Sequence, residues 1–256
     1  MEFFYGGLPF WAFALACAVT FFSGFVKGAV GFAMPLIMIS AFSSFMPPDL
    51  ALAALILSVL STNLHQSLRF GFGPALAAAV KYRRLIAMTC LGIVISAPFM
   101  VVLPERLLFA LLGFPVMGFA LMQLRGWKPE IAPRHRNRAE YGLGIIGGLY
   151  GGISGIWGPP VIVYLLALKT EKTEMVRVMG VVFLIGAVVL TLAHLGSGVL
   201  NATTLPFSAV LVIPAALGMW LGFRQQDKLA AERFRWWTLV VLMVIALNLI
   251  RRAIFG

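Results

Sequence analysis

Long apolar runs, separated by short polar segments, dominate the chain. Eight such elements cover approximately residues 10–44, 50–68, 85–103, 107–124, 141–168, 174–195, 204–223 and 236–250. A transmembrane helix needs about 20 predominantly apolar residues, and most of the elements reach that length. The pattern therefore predicts an all-α, polytopic membrane protein.

Composition excludes a soluble globular protein. Hydrophobic residues make up 61% of the chain and charged residues 11%, whereas a soluble domain has about 25% charged residues. The net charge is +11. Most of the Lys and Arg residues lie in loops between the apolar runs, where retention of basic loops in the cytoplasm explains them. We therefore expect a lipid bilayer, and no nucleic acid, as the partner. Cys17 and Cys90 lie within apolar runs, which indicates packing rather than a disulfide.

Two glycine-rich segments, 23–35 and 147–159, interrupt the first and fifth elements. An offset of 124 positions superposes Gly24 on Gly148, Gly28 on Gly152, Gly31 on Gly155 and Pro35 on Pro159. The duplication predicts two transmembrane repeats, 1–124 and 141–256, joined by a basic cytoplasmic linker at 125–140. Interrupted apolar segments at corresponding positions of two halves are the best sequence indication of a transporter's binding site.

The distribution of Lys and Arg distinguishes two topologies. If all eight elements cross once, the basic residues divide 11 to 8 between the two sides. If each interrupted element enters and leaves on one side as two short helical arms, one side holds all Lys and Arg except Lys27, Arg106, Arg251 and Arg252. The positive-inside rule favours this second arrangement. It predicts inverted repeats, each with one re-entrant hairpin and three transmembrane helices.

In this topology three segments, 125–140, 169–173 and 224–235, are cytoplasmic, and 196–203 faces outside.

The glycines themselves allow two interpretations. Glycines spaced four apart, as at 24 and 28 or 148 and 152, are typical of helix-packing grooves. Alternatively, both segments are functional breaks, because irregular backbone at membrane depth persists only where it is buried or lines a polar cavity. Hairpin tips meeting near the midplane would offer amides and positive dipole ends to an anion. The duplication and the following prolines favour the functional break.

The pattern resembles a known family. A glycine-rich segment that closes on proline, repeated across two four-element halves, is similar to the sulfite exporter TauE/SafE family, also called the toluene sulfonate uptake permease family. The resemblance covers essentially the whole chain. It implies a multi-pass protein of the bacterial inner membrane that moves sulfite, organosulfonates or related sulfur-containing or carboxylate anions. The expected mechanism is secondary transport by alternating access, and the alternative is an anion-selective channel.

The expected substrate site consists of Lys27, Gly28, Gly31, Asn63, Gln66, Ser154, Gly155, Trp157 and Arg177. Lys27 is the most informative, because an ammonium at membrane depth costs at least ~2.5 kcal/mol on insertion scales; the alternative is a side chain that snorkels to the headgroups. Asn63 and Gln66 can donate hydrogen bonds to an oxyanion. Arg177 either supplies a second cation or pairs with the acid three residues before it. Trp157 either walls the site or packs in the core.

His65 and His194 are candidates for proton coupling, because imidazole titrates near neutral pH; a satisfied interhelical hydrogen bond is the commoner role of a lone membrane histidine. All nine acids lie in loops or at element ends, so no mid-membrane carboxylate relay is expected. We expect no cofactor, nucleotide or metal, since no phosphate-binding loop motif occurs and His and Cys are scattered. The sequence shows no nucleophile–base constellation, so we do not expect an enzyme.

Overall fold

The computed structural model describes residues 5–127, 130–225 and 231–255, and these contain helices and turns but no strand. Part of the predicted linker, 128–129, and part of a predicted cytoplasmic segment, 226–230, lie outside the described residues. The helices are α1 (Phe10–Val30), α2 (Met34–Phe42), α3 (Pro48–Leu68), α4 (Phe72–Lys81), α5 (Arg83–Ser96), α6 (Glu105–Leu124), α7 (Arg136–Ser154), α8 (Gly158–Ala167), α9 (Lys172–Gly196), α10 (Leu205–Val210), α11 (Val212–Gln225) and α12 (Ala231–Phe255). A 3₁₀ turn at Ala97–Val101 extends α5.

The outer surface is apolar, as a lipid-facing surface must be. Within the described ranges, six helical stretches are long and apolar enough to cross a membrane: Phe10–Val30, Pro48–Leu68, Arg83–Val101, Arg106–Leu124, Thr173–Gly196 and Leu205–Gln225. Large hydrophobic side chains such as Phe10, Trp11 and Phe22 are exposed. A soluble monomer rarely exposes contiguous apolar patches of this kind, so the chain is a multi-pass membrane protein, as predicted.

The first and fifth apolar elements are each broken into two helices at matching glycines. Gly31 ends α1 with φ 84° and Gly155 ends α7 with φ 72°, the left-handed conformation in which glycine is the favoured cap. Prolines in the first turns of α2 and α8 then start the next helices, where a missing amide costs nothing. The arms are unequal, at 21 and 9 residues and at 19 and 10, whereas the sequence suggested two short arms.

Each broken pair folds back on itself. At the far end of the second pair, the hydroxyl of Tyr164 on α8 donates to the carboxylate of Glu140 on α7 at 2.6 Å. Beyond that end, the ammonium of Lys169 lies 2.9 Å from the carboxylate of Glu130, and this hydrogen bond lowers the pKa of Glu130. Residues 130 and 169 therefore lie at the same end of the molecule. In the first pair, the ring of Trp11 on α1 lies 6.5 Å from that of Phe45, just beyond α2.

Glycine seams join the two halves of the chain. A Cβ on Gly24 would lie 2.4 Å from the carbonyl oxygen of Ala215, and one on Gly28 would lie 2.3 Å from that of Met219. The contacts of α7 with α5 correspond: a Cβ on Gly148 would meet the Thr89 carbonyl oxygen at 2.2 Å, and one on Gly152 would meet that of Ile93 at 2.6 Å. Each pair of helices runs parallel. The packing-groove interpretation thus describes these four glycines, whereas the breaks lie at Gly31 and Gly155.

Two further pairs cross between the halves and run antiparallel. The amide of Asn63 on α3 donates to the carbonyl of Phe183 on α9, and the amide of Gln66 donates to that of Val176, so the numbering rises in opposite directions. The guanidinium of Arg252 on α12 lies over the Phe109 ring near the start of α6. Arg252 is therefore close to the end of the molecule at which α6 begins.

The structure differs from the sequence interpretation at two places. Residues 72–81, which the sequence left between elements, form α4. The predicted linker overlaps α7, which begins at Arg136, and Glu140 is only 3% exposed. The reason is the same at both: short amphipathic segments carry too little hydrophobicity to be recognised as elements without their packing partners.

Candidate functional site

The two helix breaks, at Gly31 and Gly155, contribute to one internal cavity. Its lining comprises Lys27, Phe32, Ala33, Pro35 and Leu36 around the first break, Gly155, Ile156, Trp157 and Gly158 around the second, and Asn63 and Phe183 from α3 and α9. The free volume is about 20 Å³, which is room for about one water molecule. Gly31 packs on Val176 near the start of α9, and Gly155 packs on Leu52 near the start of α3. Because α3 and α9 are antiparallel, these two starts lie at opposite ends of the molecule. The two broken pairs therefore extend past each other and do not meet tip to tip.

Lys27 contributes an ammonium to the cavity lining. It lies in the last turn of α1 and is 1% exposed, so it does not snorkel to the surface. Its Nζ donates to the hydroxyl of Thr62 at 2.9 Å and to the amide oxygen of Asn63. Among the described residues, no carboxylate forms an ion pair with it. The carbonyl end of α1 partly compensates the charge, and one N–H of the ammonium remains for a further acceptor.

The polar face of α3 holds this arrangement together. The Thr62 hydroxyl donates to the carbonyl of Ser58 at 2.7 Å while accepting from Lys27. The amide nitrogen of Gln66 donates to the carbonyl of Gly31 at 2.9 Å, which ties the first break to α3. Asn63 lines the cavity, but its amide nitrogen already donates to α9. Thr62 was not among the predicted site residues, although its place on the same helix face as Gln66 was visible in the sequence.

The second break contributes an indole. Trp157 is 2% exposed, and its ring stands edge-on to Phe183 at 6.4 Å. Its Nε1 has no hydrogen-bond partner in the described part of the chain. Ser154 is buried and locally satisfied: its hydroxyl donates to the Tyr150 carbonyl at 2.7 Å and accepts from the Ile156 amide. Ser154 therefore shapes the tip without lining the cavity.

Several expected site residues lie away from the cavity. Gly28 faces α11, and Gly31 faces α9. The guanidinium of Arg177 lies over the Phe70 ring at 5.4 Å, and its buried Nε has no partner among the described groups. His65 is exposed and stacks on Phe223.

His194 is fully buried between α7 and α9. Its Nε2 lies 2.8 Å from the carbonyl oxygen of Gly152, and its Nδ1 lies 3.0 Å from the hydroxyl of Ser197. Because a carbonyl only accepts, Nε2 carries the proton and Nδ1 accepts from Ser197. The histidine thereby caps the end of α7 and does not line the cavity.

A polar cluster lies at the end of the second broken pair, α7 and α8, that is opposite its break, and it was not predicted from the sequence. Glu140 accepts from Tyr164 and pairs with Arg136 at 3.2 Å. Next to it, Lys81 pairs with Glu174 on α9, and this hydrogen bond raises the pKa of Lys81. We call these five residues the base clamp. It joins α7 to α8 and α4 to α9 at the end of the molecule that carries residues 130 and 169.

A known protein family matches most of the chain. The model of the family described as sulfite exporter TauE/SafE matches residues 16–249. No curated protein and no solved structure matches the chain. The matched range includes both helix breaks, the residues that line the cavity and the base clamp. The chain belongs to the sulfite exporter TauE/SafE family of membrane transporters.

Proposed function

We propose that the protein is a secondary transporter of small sulfur-containing or carboxylate anions, such as sulfite or an organosulfonate, across the bacterial inner membrane. The observation that carries the proposal is Lys27: a buried ammonium beside a cavity, with hydrogen-bond partners but no carboxylate partner in the described residues. A buried charge without a counter-charge is costly, and an anion in the cavity removes that cost.

Inverted repeats in the membrane account for the contacts between the halves. In this proposal α3 corresponds to α9 and α6 to α12, and the antiparallel contacts of each pair support a two-fold axis in the membrane plane. The matching glycine seams, at Gly28 with α11 and at Gly152 with α5, support the same relation. The two broken pairs then enter from opposite sides as re-entrant hairpins. Their irregular backbone is tolerated because it is buried at the cavity.

The size of the cavity supports a mechanism of alternating access. A volume of about 20 Å³ holds about one water molecule, so any of these anions requires the hairpins to separate. We propose that release of the base clamp moves the second hairpin and opens the cytoplasmic side. In this scheme Lys27 binds the anionic group and Trp157 contacts its apolar part. Asn63 and Gln66 position the ammonium and the first break, and Arg177 lies on the cytoplasmic approach.

The substrate class can be tested directly. Purified protein is screened by thermal shift against sulfite, aryl- and alkylsulfonates, sulfate and small carboxylates. Anions that stabilise it are then assayed in proteoliposomes, where saturable uptake accelerated by counter-substrate marks a carrier and conductance far above carrier turnover marks the channel alternative. Absence of both stabilisation and flux for every anion would overturn the proposal.

The topology needs its own test. Cysteines introduced at Glu130 and Lys169 should both react only with cytoplasmic reagents. A bifunctional maleimide should crosslink them, because the tips of the native side chains are 2.9 Å apart. A cysteine at Asn201 should react only from outside. Labelling of positions 130 and 169 from opposite sides would exclude the re-entrant second hairpin.

A further inference from the structure

A second cavity lies beside the base clamp, remote from the chain breaks. It has a volume of about 390 Å³ and is lined by Val80, Lys81, Arg83, Arg84, Arg136, Asn137 and Glu140. Four basic side chains thus surround one carboxylate. Lys81 and Arg136 are already paired with acids, whereas no ion pair includes Arg83 or Arg84 in the described ranges. The cavity therefore has positive charge available for an anionic group.

An exposed apolar stripe leads along α4 to this cavity. Phe72 is 72%, Leu76 54% and Val80 56% exposed, and their spacing of four residues places them on one face of the helix. The opposite face, with Ala75 and Ala78, is buried against the protein. Val80 belongs to both the stripe and the cavity lining. A small hydrated anion would not contact such a stripe, whereas an acyl chain would pack on it.

We propose that this cavity binds the phosphate group of an anionic phospholipid, whose acyl chain lies on the α4 stripe. The inference rests on the proposed topology, which places the basic ends of α4, α5 and α7 in the cytoplasmic leaflet. Basic cavities between membrane helices on that side are suited to anionic headgroups. Arginine presents several N–H donors in a planar fork that matches phosphate oxygens. Arg83 and Arg84 supply two such groups in the cavity lining, where Arg84 also donates to the amide oxygen of Asn137.

The headgroup would also reach the base clamp. Arg136 lines the cavity and pairs with Glu140, so a phosphate competes with Glu140 for the same guanidinium. Occupation of the cavity weakens the bond between Arg136 and Glu140, which holds the second hairpin. The lipid is thus positioned to change the rate at which the cytoplasmic side opens, without touching the cavity that contains Lys27.

Native mass spectrometry of the delipidated full chain tests the proposal. Phosphatidylglycerol and phosphatidylcholine with identical acyl chains are titrated separately, and glycerol 3-phosphate serves as the soluble probe. We expect phosphatidylglycerol to bind with clear preference and the soluble phosphate to bind only weakly. The double variant Arg83→Gln/Arg84→Gln should weaken phosphatidylglycerol binding about 25-fold, or about fivefold for each arginine. Phosphatidylcholine binding should not change.

The matched control is Arg134→Gln/Arg138→Gln, which removes the same charge from exposed positions outside the cavity. Equal weakening by this control would show a general charge effect and overturn the site. Equal binding of the two lipids would also overturn it, and tight binding of glycerol 3-phosphate would exclude the lipid as the source of the phosphate. A Lys27→Met variant should keep its lipid preference, so failure of the substrate proposal is distinguishable from failure of this one.

Discussion

Replacing Lys27 by methionine isolates the charge from the shape of the side chain. Methionine is unbranched, of similar length and apolar, so it fills the same space at the end of α1. The Thr62 hydroxyl keeps its hydrogen bond to the Ser58 carbonyl at 2.7 Å. The amide oxygen of Asn63 loses the donor that Lys27 provides. The variant therefore removes one ammonium and leaves one acceptor unpaired.

Lys27→Met should weaken anion binding, whereas its two effects on the stability of the protein without anion have opposite signs. A hydrogen bond to a charged group contributes about 1.5–3 kcal/mol, so the dissociation constant of the anion should rise about tenfold to a hundredfold. The unpaired Asn63 oxygen costs about 1–3 kcal/mol of stability. Removing an ammonium that no described carboxylate compensates offsets that cost. We therefore expect anion binding to weaken strongly while the melting temperature without anion changes little.

Thermal unfolding with and without anion measures both effects on one preparation, and proteoliposome uptake measures transport. Lys27→Arg retains the charge and should bind the anion better than Lys27→Met. Lys169→Met, an exposed change outside the cavity, should behave as the wild type in anion binding. Normal affinity and uptake by correctly inserted Lys27→Met would refute the assignment of Lys27 as the anion's partner.

Three further predictions rest on the same geometry. Gly155→Ala should lose more unfolding free energy than Gly31→Ala in chemical denaturation: both force a side chain into a left-handed conformation costing about 1–2 kcal/mol, but only at 155 does the new Cβ lie 2.9 Å from a leucine methyl. Equal losses would contradict this. Glu140→Gln should lower the free energy of unfolding by about 1–3 kcal/mol, since it weakens the hydrogen bond from Tyr164. It should change the transport rate but not the anion affinity. A loss of affinity like that of Lys27→Met would exclude a gating role. Trp157→Phe should reduce affinity for an arylsulfonate about tenfold more than for sulfite, since less apolar surface meets the ligand; equal reductions in binding titrations would place the indole away from the substrate.

The glycine segments show what the sequence could predict. Their duplication correctly indicated where the helices break, because a glycine in the left-handed conformation ends one helix and a proline in the first turn starts the next. The sequence could not separate Gly31 from Gly28, which lies three residues earlier. Gly28 packs on α11 and Gly31 adopts a positive φ. That distinction depends on a helix nearly 200 residues later in the chain.

Polar residues were harder to assign than glycines. The sequence identified Asn63 and Gln66 as hydrogen-bond donors, and in the structure their amide nitrogens donate to backbone carbonyls of α9 and of the first break respectively. A sequence identifies a donor but not the acceptor that it meets. Glu140 is a second example. Surrounded by basic residues, it was assigned to an exposed linker, yet the Tyr164 hydroxyl 24 residues later makes its burial possible.

The two breaks are alike in backbone and different in chemistry, and one contact explains why. Under the 124-residue offset, Lys27 corresponds to Gly151 and Ala33 to Trp157. A Cβ on Gly151 would lie 2.9 Å from the indole of Trp157, so a lysine there and a tryptophan at 157 exclude each other. The second break therefore carries the tryptophan and no lysine, whereas the first break carries Lys27 with alanine at the position that corresponds to Trp157. The cavity thus has an ammonium from one hairpin and an indole from the other, which suits a ligand with one anionic end and one apolar end.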